Sequence, residues 1–205
     1  MDYTGAIDGR LLQGCYQEAE RSRVVALNLD GLRNAMAESY HAHIFALSEE
    51  IRTTSAILRD IADRSQVHFS RVPVVLDYLN VVLPCLSRSL RDITTFYEDI
   101  AVSKEIRWRR MYHKMTSEVG GIPLPQRFVL YNHFLTVLLQ LLIRCGFCPS
   151  HLILAQSARL IMSRDVNFEL NTLESLKTRI LELREKRGIG RFKSNMAELT
   201  MANRR

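Results

Sequence analysis

The chain has 205 residues, of which 47% are hydrophobic and 24% charged, with a net charge of +6 and only nine glycines and five prolines. That length suits one domain with a real core, and the charged fraction is ordinary for a soluble protein. The scarcity of Gly and Pro argues against an all-β fold, which needs many turns, and the three- and four-residue recurrence of Leu, Ala, Arg and Glu points to an all-α chain.

Residues 1–16 carry Gly5, Gly9 and Gly14 without periodicity and read as a flexible lead-in to a helical bundle over 17–187. The first strong signal is a stripe of ten apolar or near-apolar positions from Leu29 to Ile61, through Met36, Tyr40, Ile44 and Ile51, with a mean spacing of 3.56. It predicts one long amphipathic helix, with coiled-coil pairing the weaker reading because a strict heptad frame puts Glu50 and Thr53 on the seam. On its polar face Arg59 and Asp63 stand four apart, the spacing of an ion pair.

A second stripe runs from Val72 to Ile100, with Pro84 inside it predicting a kink or break near Leu83. A shorter basic helix follows over 103–119, with Ser103 as its N-cap and Gly120-Gly121 as its stop. The turn Pro123-Leu124-Pro125 then leads into Phe128–Ile143, apolar on nearly every side. A helix greasy all round must be surrounded. Its sixteen residues, interrupted by Asn132, His133 and Gln140 and flanked by Arg127 and Arg144, are too few to span a bilayer. The expectation is a core helix.

Residues 145–166 lose the pattern, consistent with an inserted segment or a retained intron, and Asn171 with Glu174 resembles a capping-box start for a last helix ended by Gly188. Residues 188–205 read as a flexible basic tail. The fold expected is therefore a bundle of about five or six helices, its two long amphipathic helices packed antiparallel around the central apolar one.

Candidate chemistry is sparse. Cys145-Gly-Phe-Cys148 has redox-dithiol spacing, and His151 extends it to half a zinc site, but no strand precedes it and no second ligand pair matches. His41 and His43 point to different sides of a helix and cannot share a metal. His133 with Asn132 and Gln140 reads as a polar trio hydrogen-bonded inside the bundle. No phosphate loop, nucleophile elbow or metalloprotease motif occurs. The reading is non-enzymatic, without catalytic residues, metal or cofactor.

The most distinctive polar feature is the basic helix, where 104–114 holds five basic residues against one acidic. Arg107, Trp108, Arg109, Arg110 and Lys114 form the candidate interaction surface, able to grip phosphate or rest at a membrane. The bland alternative puts Trp108 in the core and the arginines in solvent or in ion pairs. The N-terminal MDYTGAIDGR lacks a signal-peptide pattern, and four unpaired cysteines suit a reducing compartment, so an intracellular location, cytoplasmic or nuclear, is expected.

The tandem of long helices, with TTSAILRDI in the first and LPCLSRSLRDI in the second, resembles the helical N-terminal (HeLo-like) domains of fungal STAND-type proteins over about residues 20–145. KEIRWRRMYHKM and GGIPLPQRFVLYNHFL are also similar to fungal proteins of no assigned function. The resemblance implies a helical signalling module, some members of which engage membranes, and it carries no functional residue over. A protein–protein interaction or scaffolding role, with a protein partner or a second copy, is the expected function. A membrane-associating module and a nucleic-acid binder acting through 104–114 are the alternatives.

Overall fold

A computed structural model describes residues 3–67, 72–116, 122–144 and 156–188. Among them lie six α-helices and no strand: α1 (Tyr3–Arg33), α2 (His41–Ser65), α3 (Val72–Tyr97), α4 (Lys104–Thr116), α5 (Leu124–Arg144) and α6 (Gln156–Lys186), with a 3₁₀ turn at Glu38–Tyr40. The all-α bundle expected from sequence is present.

The long first helix is instead a hairpin. α1 ends at Arg33, and Ala35 and Met36 close a tight turn by donating to the carbonyls of Leu32 and Arg33, both at 3.0 Å. The apolar stripe runs straight through because Leu29, Leu32 and Met36 on one side and Ile44, Leu47 and Ile51 on the other enter the same core. Four-residue steps from Leu32 to Ile44 look identical in one helix or two, and the turn contains neither Gly nor Pro. Four cross-links fix the antiparallel register: Tyr16 to Asp63 (2.5 Å), Ser55 to the Ala19 carbonyl (2.7 Å), Arg59 to Glu20 (2.9 Å) and Arg52 to Asp30. Arg59 and Asp63 thus reach across to α1 and not to each other.

Residues 3–16, expected as a loose lead-in, belong to α1. Between residues 14 and 26 the buried side of this helix is mostly small or polar, Gly14, Cys15, Glu18, Ala19, Ser22, Val25 and Ala26, with large Leu29 and Leu32 only near its end. A scan for large apolar residues passes over such a seam. Its small side chains let α2 approach until the Ser55 hydroxyl meets a backbone carbonyl, and tertiary packing of this kind overrides the roughly 1 kcal/mol that each interior Gly costs.

Around the core the helices follow the order α1, α2, α5, α3, each touching the next, while α2 and α3 stand on a diagonal. The expected arrangement of two long helices about α5 is present: α2 and α3 run antiparallel and both pack on α5, from different sides. Arg21 meets Ser87 near the middle of α1 and α3, while Leu29 and Leu32 line one crevice with Ile93 and Phe96, so α1 and α3 run parallel. Tyr131 meets Ser89 and Phe134 meets Tyr78, so α5 runs antiparallel to α3.

α3 passes through Pro84 without a break. Proline leaves the carbonyl four residues back, that of exposed Asn80, without its helical donor, where water can replace it.

α6 packs outside this ring, on α3 and α5. It starts at Gln156, so 156–166 is helical and not irregular, and Asn171 lies within the helix as an exposed residue and caps nothing. Residues 145–155 and the tail 189–205 lie outside the described residues. Leu173, Leu176, Ile180 and Leu183 are buried, and Gly188, at φ +58°, supplies the left-handed residue past the end. Arg187, its side chain 7% exposed, donates to Ser89 at 3.0 Å and pairs with Asp92, pinning the end of α6 to α3.

Candidate functional site

The basic helix is anchored inward. Ser103 caps α4, its Oγ accepting from the Ile106 amide at 3.4 Å. Trp108 and Met111, each 2% exposed, seal one end of the core with Leu29, Leu32, Ile93, Phe96 and Tyr97 around a shallow crevice. Arg107 lines the same crevice, donates to the Tyr97 carbonyl and sits 5.8 Å from the Tyr97 ring centre. Arg109 donates to Tyr40 at 2.8 Å and Glu105 at 2.6 Å, which holds its guanidinium above the usual arginine range.

Arg110 is exposed, and the side chain of Lys114 lies outside the described residues. The five predicted surface residues therefore do not form one open patch: Trp108 is core, while Arg107 and Arg109 tie α4 to α3 and to the turn before α2.

The apolar helix α5 contains the larger surprise. Phe128, Tyr131, Phe134, Leu135, Leu138 and Leu142 are fully buried, as expected of a core helix, and so is Arg127, whose Nε donates to the Ile122 carbonyl at 2.5 Å. One side remains open, however. Gln126, Val129, His133, Gln140 and Ile143 are exposed and Thr136 is half-buried, a continuous strip with 3-4 spacing; Val129 is 51% and Ile143 38% exposed. No Asp, Glu, Lys or Arg stands in it. α1, α2 and α6 by contrast expose Glu20 and Arg23, Asp60 and Arg64, and Arg179 and Glu182.

The predicted polar trio is split by the same geometry. Asn132 alone points inward, 7% exposed, accepting from Thr54 at 2.6 Å and donating to the Glu50 carbonyl at 2.9 Å and to its carboxylate at 2.7 Å. This contact locates α2 beside the open strip. On that edge of α2, Ala46 and Thr53 are exposed and Glu50 and Ile57 half-buried, so the charge-free surface is the α5 strip and the Glu50 carboxylate borders it.

Two further buried polar clusters lie elsewhere. Between α1 and α3, Glu18 accepts from Arg21 at 2.7 Å, while its Oε2 and the hydroxyl of Ser22 have no hydrogen-bond partner. Burial is the main influence on the Glu18 carboxyl and raises it above the usual range, against the opposing pull of Arg21, the Ser87 hydroxyl and Arg91. Between α3, α5 and α6, Tyr131 lies 3.1 Å from Ser89 and donates to the Cys85 carbonyl at 3.3 Å. Both clusters join helices.

Cys15 and Cys85 are buried free thiols, pushed by burial to about 12 and about 11, so neither is a ready thiolate. Cys145 and Cys148 lie outside the described residues. Among the described residues no three His, Cys, Asp or Glu side chains gather to hold a metal, and no helix is long and apolar enough to cross a membrane. Comparison with protein-family models, curated proteins and solved structures finds no match to this chain.

Proposed function

We propose that the chain is a non-enzymatic helical interaction module whose docking surface is the outward strip of α5 with the adjoining edge of α2. The observation that supports this is the uncharged exposed run from Gln126 to Ile143, in a protein whose other outward helix faces are charged. Interface cores are depleted of charge relative to the remaining surface, and a helix face with apolar positions at both ends suits pairing with another helix.

The test is the size of the complexes formed by the native chain and by the double variant Val129→Glu/Ile143→Glu, compared by gel filtration of native cell extract. Both positions are exposed, so the fold tolerates the change. The reading expects the native chain in a larger complex and the variant at the size of one chain; unchanged elution of the variant would overturn it.

The alternatives draw on the basic stretch 104–114. Arg110 is exposed there, but Trp108 is not available for stacking and Arg109 has two partners. A nucleic-acid binder requires retention that falls steeply with salt. A membrane module requires flotation with anionic vesicles.

A further inference from the structure

We infer that the α5 strip is covered in cis by the chain's own residues 189–205, so that a protein partner must displace this segment to dock. The inference rests on the reading of that strip as a docking surface and adds its regulation.

The sequence of the segment matches the strip step for step. Phe192, Met196, Leu199 and Asn203 stand at steps of four, three and four, and so do Val129, His133, Thr136 and Gln140. One row laid on the other sets Phe192 against Val129, which is exposed among the described helices, and the carboxamide of Asn203 against that of Gln140. Helices that share this spacing and run the same way keep such a row in contact from turn to turn. The segment holds four basic residues, Arg191, Lys193, Arg204 and Arg205, against the acidic Glu198, a balance that suits the Glu50 carboxylate at the border of the strip.

The end of α6 delivers the segment to the head of the strip. α6 follows α3 from Glu174, at Tyr78, to Arg187, at Ser89 and Asp92, and is therefore antiparallel to α5. Ser89 also meets Tyr131, so α6 stops level with the first turns of α5. Gly188, at φ +58°, ends the helix and Gly190 follows two residues on. So short a connection returns the chain antiparallel to the helix it leaves, hence in the direction of α5. α2 borders the strip on the Asn132 side, and α6 packs on α5 from the other. As a helix, 191–205 is about 22 Å long, and Val129 to Ile143 spans about 21 Å.

Tethering lets a small contact suffice. A helix of 21 residues offers a strip about 31 Å long and about 10 Å wide, roughly 300 Å². A segment joined to α6 by so short a connection meets it at an effective concentration of about 1 mM, so a contact of only about 0.1 mM affinity between separate molecules leaves the strip open about a tenth of the time.

The test uses full-length chains with Cys145 and Cys148 replaced by serine. Val129→Cys/Phe192→Cys should oxidise to a disulfide at the mass of one chain, while Val129→Cys/Asn203→Cys, out of register by about three helical turns, should not. Maleimide should label Val129→Cys about tenfold more slowly than Val129→Cys/Met196→Glu/Leu199→Glu, where the apolar row is broken. In native extract, Met196→Glu/Leu199→Glu should move more of the chain into the larger complex. Equal oxidation of the two cysteine pairs, a disulfide mainly between two chains, equal labelling rates or an unchanged share of complex would each overturn the inference. Those failures leave the docking surface standing if Val129→Glu/Ile143→Glu still leaves its complex in extract. If that variant also elutes unchanged, the surface itself is wrong.

Discussion

The basic helix α4 and the apolar helix α5 exchange the roles their compositions suggest. α4, polar enough to look like a free surface, drives Trp108 and Met111 into the core and turns Arg107 and Arg109 onto Tyr97, Tyr40 and Glu105. α5, greasy enough to look enclosed, leaves a whole side open. Average polarity says how much of a helix can be buried. Which face is buried depends on how many neighbours reach it: among the described residues α5 has α2, α3 and α6 along it and a small contact with α4, and its outward strip stays exposed.

The largest expected effect probes the α4 half of this contrast. Trp108→Ala should cost about 3–5 kcal/mol, the usual penalty for emptying a buried aromatic site, read as a lower urea midpoint. A loss near zero would mean that the indole faces outward and that α4 is a surface helix after all.

The inward side of α5 comes next. Asn132→Ala removes the buried acceptor of the Thr54 hydroxyl, which keeps its bond to the Glu50 carbonyl, and both donations to Glu50, for an expected loss of about 1–3 kcal/mol. His133→Ala, one residue on but exposed, should change stability by less than about 0.5 kcal/mol. Equal losses at 132 and 133 would erase the division of this helix into an engaged and an open side.

A third prediction concerns the seam of α1. The Glu18 carboxyl is raised by burial, so the folded state binds its proton more tightly than the unfolded chain does. Its contribution is therefore most favourable below the unfolded carboxyl range, about pH 4.3. That contribution is lost as pH rises through the higher folded value. Glu18→Gln should raise the melting temperature near neutral pH, with the gain vanishing toward pH 4. A gain constant with pH would show that the carboxylate is not the source.

The smallest effects belong to exposed positions. Arg110→Ala and Val129→Glu should each leave the stability of the single chain within about 0.5 kcal/mol of native. A larger loss at Val129 would place it in the core.

Most of the fold was legible where large apolar residues recur every three or four positions, as in α2, α3 and the stripe of Leu173, Leu176, Ile180 and Leu183. It was illegible where the seam is built from small or polar residues, as at Cys15, Ala19, Ser22 and Ala26, which gave the part of α1 before Leu29 no apolar signature. The turn at 34–37 was hidden for the opposite reason, since the stripe continues unbroken through Met36. For the candidate surface, sequence located a run of arginines but carried no sign that Tyr40 and Tyr97 would receive two of them. The open side of α5 was written in the 3-4 spacing of Gln126, Val129, His133, Thr136, Gln140 and Ile143. Only the arrangement of the neighbours distinguished it from the buried sides.

The most direct measurement sets the two helices against each other: the elution size, by gel filtration of native cell extract, of Arg109→Ala/Arg110→Ala beside Val129→Glu/Ile143→Glu. The account predicts that the α4 variant associates as the native chain does and that the α5 variant elutes at the size of one chain. An α4 variant reduced to a single chain, beside an α5 variant that still associates, would contradict it.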